Sequence, residues 1–142
     1  MKMENKYFKK REYKGGFEDY YDVNLYPDGV IRDVVQEKDE KINRCKKEIE
    51  FINNLYKDGV KRNFLDLGCG NGFVSSAIDD KQWNKYGLEA YSKKAAQVAK
   101  KYISHIHFGP LQSNIYSKEF FDLILSYHVI EHVEEPIEFI KN

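Results

Sequence analysis

Cysteine is scarce in this sequence: Cys45 and Cys69 are its two representatives, far apart and in dissimilar surroundings. That supports no disulfide framework, so the expected setting is a reducing cytoplasm. Charge of one sign is also missing. Lys and Arg total 23, Asp and Glu total 23, and the formal net charge is zero. This argues against the broad basic footprint of a protein that binds nucleic acid or an anionic membrane. The densest basic run, Lys9-Lys10-Arg11, is followed at once by Glu12 and reads as a solvated surface. No apolar run approaches the ~18 residues that a membrane span needs. The N-terminus is charged and aromatic, without the apolar core of a secretory signal.

What remains is a chain of 142 residues, enough for one domain, with a 42% hydrophobic content that suits a packed core. Residues 1–33 read as an aromatic-rich N-terminal arm: Tyr7, Phe8, Tyr13, Phe17, Tyr20, Tyr21 and Tyr26 alternate with charges and with Gly15-Gly16. Such an arm either packs onto the domain or closes as a flap over a ligand pocket. The domain itself is expected over 34–142. Ile42, Cys45, Ile49, Ile52 and Leu55 fall at helical spacing and predict an amphipathic helix over 34–56, ended by Lys57-Asp58-Gly59. Cys45 is then a small core residue. Asn63–Leu67 reads as a buried strand, Phe73–Ile78 as the start of a helix, and Tyr86–Ala90 as a second strand. Ser92 caps a helix through Lys101; Ile103–Phe108 and Phe121–Ser126 are further strands, and Glu134-Glu135-Pro136 opens a last helix. Strands alternating with helices at this spacing predict a parallel sheet with helices on both faces.

The strongest local signal is Asp66-Leu67-Gly68-Cys69-Gly70-Asn71-Gly72, placed between a strand and an expected helix. Glycines let the backbone turn sharply and let a ligand approach the main chain, and unpaired N–H groups there favour a phosphate or a carboxylate. The spacing is G-x-G-x-G. A dinucleotide fingerprint needs its third glycine where Phe73 stands, and a Walker loop needs a Lys-Ser or Lys-Thr that does not follow. Glu89 lies at the end of the second strand, 21 residues after Gly68. An acid at that place suits the two hydroxyls of a ribose.

These residues resemble the class I S-adenosylmethionine-dependent methyltransferases. Asp66 to Gly72 matches that family's D-x-G-x-G-x-G motif without departure, and Glu89 matches its second-strand acid. Gly109-Pro110-Leu111-Gln112 and the run Phe121 to Val133 look like the third and fourth motif regions. The likeness is nearest to members acting on small molecules, including quinone precursors and bacterial sugars, and covers about residues 39–142. It implies a Rossmann-like three-layer α/β/α sandwich with a parallel sheet in the order 3-2-1-4, lacking the family's last three strands. Residues 34–142 would then form a partial methyltransferase domain, and the chain is expected to be truncated after the fourth strand.

The resemblance also implies roles. Gly68, Cys69, Gly70 and Gly72 would line the methionine part of S-adenosylmethionine, and of the product S-adenosylhomocysteine, through their backbone. Asp66 would hold the loop and help bind the amino group. Glu89 would take the ribose hydroxyls, Ala90 would lie against the adenosine, and Leu111 would pack on the adenine. Ser126 and Tyr127 would border the methionine part and the methyl group, and His128 is the candidate general base. The expected reaction is methyl transfer to an O, N or C nucleophile of a small molecule. The alternative is a non-catalytic binding or assembly module that keeps the fold. No metal, nucleic-acid or membrane partner is expected, although His128-Val129-Ile130-Glu131-His132 also has the H-x-x-E-H spacing of inverted zinc proteases. Strand 121–126 is expected at an open edge, covered by a second copy or another partner.

Overall fold

The computed structural model describes residues 34–112, 114–133 and 135–141. The expected aromatic arm lies outside the described residues. Four parallel strands, β1 (Arg62–Leu67), β2 (Trp83–Glu89), β3 (His105–Phe108) and β4 (Leu123–Ser126), form one sheet in the order β3-β2-β1-β4. The order reverses between β1 and β4. There the connections leave to opposite sides and open a crevice at the carboxyl ends of the strands.

Side chains alternate across the sheet, so each strand feeds two cores. On the first face Phe64 and Trp83 meet Cys45, at the junction of the helices α1 (Val34–Arg44) and α2 (Lys46–Asn54), and Ile49 and Ile52 of α2. Farther along, Cys69, Ala99 and Ile103 pack beside α3 (Lys93–Ala99). On the second face Leu65, Leu67 and Leu88 lie under Leu111, Tyr116, Phe121 and Phe139, the last from the short helix α4 (Pro136–Lys141). The result is the expected three-layer sandwich, with the second outer layer built mostly of connecting chain.

The helix read over 34–56 is distorted at Cys45, yet its hydrogen bonding runs on, from the Cys45 N–H to the Lys41 carbonyl and from Ile49 to Cys45. Gly59 does adopt φ +76°, but it lies in the turn before β1, beyond the helix end at Asn54. Strand β2 begins at Trp83, three residues before its expected start at Tyr86. The polar Asn84 and Lys85 hide that start from a hydrophobicity reading, although Lys85 is buried. Ile103 lies outside β3 as a core residue, and β4 starts at Leu123.

The largest difference follows the glycine loop. A helix expected from Phe73 is a single 3-10 turn, Ser75–Ala77. The groups that would continue it are engaged elsewhere: the Asp79 N–H donates to Asn53 Oδ1 at 3.0 Å, and the Ile78 carbonyl accepts from Lys85 Nζ at 3.2 Å. Ser92, by contrast, caps α3 as expected, its Oγ accepting from the Ala95 N–H at 3.0 Å.

Candidate functional site

The loop Gly68–Gly72 crosses the end of β2. The N–H groups of Gly68 and Cys69 both donate to the Leu88 carbonyl, at 2.8 and 3.0 Å, and the Gly72 N–H turns back to the Cys69 carbonyl at 2.8 Å. Gly68, Gly70 and Gly72 have φ of +76°, +51° and +72°. That region is strained for any residue with a Cβ. At Gly72 the reason is also steric: a Cβ would stand 3.0 Å from the backbone of Ala99. At Gly70 a Cβ would meet nothing within 4 Å, so the main chain there faces open space. No α-helix stands behind the loop, and the N–H groups of Gly68, Cys69, Gly70 and Gly72 are all engaged within the chain, so these four do not form the anion-binding set expected from the sequence.

Asp66, the last first-face residue of β1, is buried, and its Oδ2 accepts a 2.6 Å hydrogen bond from Ser75 Oγ. Burial pushes its carboxyl up to about 6, against the Ser75 bond and the positive charge of Lys41, which lower it. Glu89 ends β2 and is also buried. Its Oε2 accepts from the Gly70 N–H at 3.0 Å, and its Oε1 accepts from the N–H groups of Tyr91 and Ser92, at 2.8 and 3.0 Å. A single carboxylate thus ties the glycine loop to the start of α3. Cys69 turns its thiol into the core, where burial, helped by the charges of Asp66 and Glu89, raises its pKa. It presents only backbone to the crevice.

Ala90 and Leu111 each pack against the cluster of Leu65, Leu67 and Leu88 on the second face. Ser126 lies beside Leu67 at the end of β4, across the crevice from the loop. Tyr127 packs on the first-face core, with Lys41 Nζ 5.0 Å from its ring centroid. Lys41 therefore stands beside Tyr127, and its positive charge is felt at Asp66. Sequence reading missed it, because one lysine on a charged helix carries no signal. Val129 lies over Gly68 so closely that a Cβ on the glycine would meet its Cγ2 at 2.3 Å.

His128 takes φ +58° and is exposed. Its Nδ1 lies 2.8 Å from Glu131 Oε1. A carboxylate can only accept, so Nδ1 donates and Nε2 is left as the ring's basic nitrogen. Glu131 is held below the usual carboxylate range by its own backbone N–H and by His128. His132 falls in the following 3-10 turn, so the two histidines are not spaced along an α-helical face as in the zinc motif.

An α/β sheet whose glycine loop, buried acid and apolar seat meet at the switch point defines a nucleoside-binding class of protein. Within that class the chain belongs to the methyltransferase-domain family, whose profile matches residues 36–142. The ubiquinone biosynthesis O-methyltransferase of Rickettsia canadensis is 33% identical over 100 residues, covering 66% of this chain and 42% of that protein. The chain spans about two fifths of the length of the curated relatives it matches. Among solved structures, a Pyrococcus horikoshii protein superposes with a TM-score of 0.59 at 21% identity, over 87% of this chain and 57% of that one. Magnesium protoporphyrin IX methyltransferase from Synechocystis, solved with bound SAH, gives 0.52 at 19% identity, over 86% and 59%. These likenesses show the fold.

Proposed function

We infer that this chain binds S-adenosylmethionine in the crevice between β1 and β4 and serves methyl transfer to an oxygen nucleophile of a small molecule. The observation that carries the reading is the buried Glu89 carboxylate bonded directly to the Gly70 N–H, because it places a diol-binding acid against an open stretch of glycine backbone. The rest of the donor set fits the same ligand. The buried Asp66 carboxylate at the end of β1 suits the ammonium of an amino acid. Ala90 and Leu111 offer an apolar seat for the nucleobase. Gly68, Cys69, Gly70 and Gly72 supply backbone to the methionine portion, and Ser126 and Tyr127 border it from the β4 side. The relatives named for ubiquinone biosynthesis support an oxygen acceptor.

The ligand supplies a sulfonium that makes its methyl group electrophilic. The protein's part is alignment, holding the acceptor in line with the S–CH3 bond and excluding water. A base is needed only where the acceptor arrives protonated. His128 fills that place, with Glu131 fixing its tautomer. Glu89 already accepts three N–H bonds, and a carboxylate offers about four lone-pair sites. Taking up both ribose hydroxyls therefore requires that it release one N–H, and Gly70, whose backbone faces open space, is the natural one.

Calorimetric titration with S-adenosylmethionine and S-adenosylhomocysteine tests the reading, together with transfer of a labelled methyl group to phenolic acceptors. Binding is expected to weaken by about tenfold or more in Glu89→Ala, the loss expected for charge-assisted bonds. Absence of binding by the unmodified chain sinks the reading. Binding without transfer favours a module that keeps the fold without turnover.

A further inference from the structure

Lys85 is a buried charge that the site as described does not use. It sits in the middle of β2 at 2% exposure, opposite Phe64 of β1 and on the same face as Asp66. A methionine or leucine would fill that space without the penalty of desolvating an ammonium group. What an ammonium adds is three directed donors. Here they converge on one segment: Nζ lies 3.0 Å from the Ser75 carbonyl, 3.2 Å from the Ile78 carbonyl and 2.7 Å from Asp80 Oδ1. Lys85 thereby clamps the chain that leaves the glycine loop, gripping both ends of its 3-10 turn.

Ser75 makes this more than a local brace. Its carbonyl is held by Lys85, and its hydroxyl donates to Asp66 Oδ2 at 2.6 Å. Ser75 is fully buried, so neither bond is shared with solvent. The orientation of the Asp66 carboxylate is therefore referred, through one serine, to the middle of β2. Glu89, by contrast, is held by the backbone of Gly70, Tyr91 and Ser92, with no contact to this chain of bonds. The amino-acid and ribose ends of the site are positioned by separate supports.

We propose that Lys85 is a positioning residue for the amino-acid end of the ligand, acting on Asp66 through Ser75. The inference rests on the reading of the site as one for S-adenosylmethionine. It predicts a loss that discriminates between two ligands. S-adenosylhomocysteine carries the amino acid; 5′-methylthioadenosine has the same nucleoside and thioether without it. In titrations of the full chain, Lys85→Met is expected to weaken S-adenosylhomocysteine by about tenfold, one buried charge-assisted bond's worth, and to leave methylthioadenosine within about twofold. Ser75→Ala should show the same selectivity. The double variant should be no weaker than the weaker single one, since both cut one chain of bonds.

Equal losses for the two ligands, or additive losses in the double variant, overturn the proposal, because a general weakening of the fold affects both ends alike. Should Lys85→Met fail to fold, Asp80→Ala decides. Its carboxylate is exposed, and its removal loosens Lys85 without opening the core. A selective loss of about threefold for S-adenosylhomocysteine supports the proposal, and unchanged or equally weakened binding of both ligands refutes it. Failure of the unmodified chain to bind S-adenosylhomocysteine is a different result, which removes the functional reading itself.

Discussion

Asp66 shows at the level of one residue how a binding group opposes stability. Its carboxyl ionises near 3.8 in the unfolded chain and near 6 in the folded one, chiefly because it is buried. Between those values the folded state holds a proton that the unfolded state has released, so stability falls as pH rises. The contribution is fully present below about pH 4 and lost above about pH 6, and amounts to about 3 kcal/mol at most. Asp66→Asn removes this titration while keeping an acceptor for Ser75. Denaturant melts at pH 4.5 and 7.5 are expected to show the variant gaining on the parent protein at the higher pH. A difference that stays constant with pH would refute the assignment. Asp66 and Glu89 were legible in the sequence, because they stand at fixed spacing from a glycine pattern that few other structures need. Lys85 and Lys41 were not. Each is one lysine among many, and only the packing of β2 and α1 gives it a place.

At the scale of elements, the glycine loop was legible in its sequence and the segment after it was not. The motif requires a turn with positive φ, and that requirement is local. Whether a helix follows depends on Asn53 and Lys85, which reach the segment from α2 and β2 and capture the groups a helix would use. The loop's demands on backbone and on packing are separable by substitution. Gly68→Ala meets both a left-handed backbone and Val129 at 2.3 Å, whereas Gly70→Ala meets only the backbone term. The backbone term is about 1–2 kcal/mol and the overpacking about 1–3 kcal/mol. Urea unfolding should therefore rank Gly68→Ala well below Gly70→Ala in stability. Val129→Ala should recover part of the Gly68→Ala loss and none of the Gly70→Ala loss. Gly70→Ala is still expected to lose ligand affinity, since its new methyl enters the open space beside Glu89. Equal destabilisation by the two glycine variants would contradict the packing described.

For the whole molecule, the parallel sheet with cover on both faces followed from alternating strands and helices and the strand order from the family resemblance, while the make-up of the cover on the second face did not follow from any pattern. Strand β4 pairs with β1 on one side and has no partner on the other among the described residues. Ile124, on the second face beside Leu65, is 55% exposed, and Ile137 and Ile140 of α4 are each 70% exposed. An edge strand flanked by apolar side chains is a template for another chain. With a formal net charge of zero, long-range repulsion does little to oppose contact between copies. The 142-residue chain is accordingly expected to self-associate in sedimentation velocity runs, with the heavier species growing as concentration rises. Ile124→Lys combined with Ile140→Lys places charge on the edge strand and on the exposed side of α4. That variant should shift the distribution to monomer without lowering the melting temperature by more than a few degrees, because both side chains are largely in water already. A parent chain that stays monomeric across the concentration range would mean that this face is satisfied by the chain itself, and the edge would need no partner.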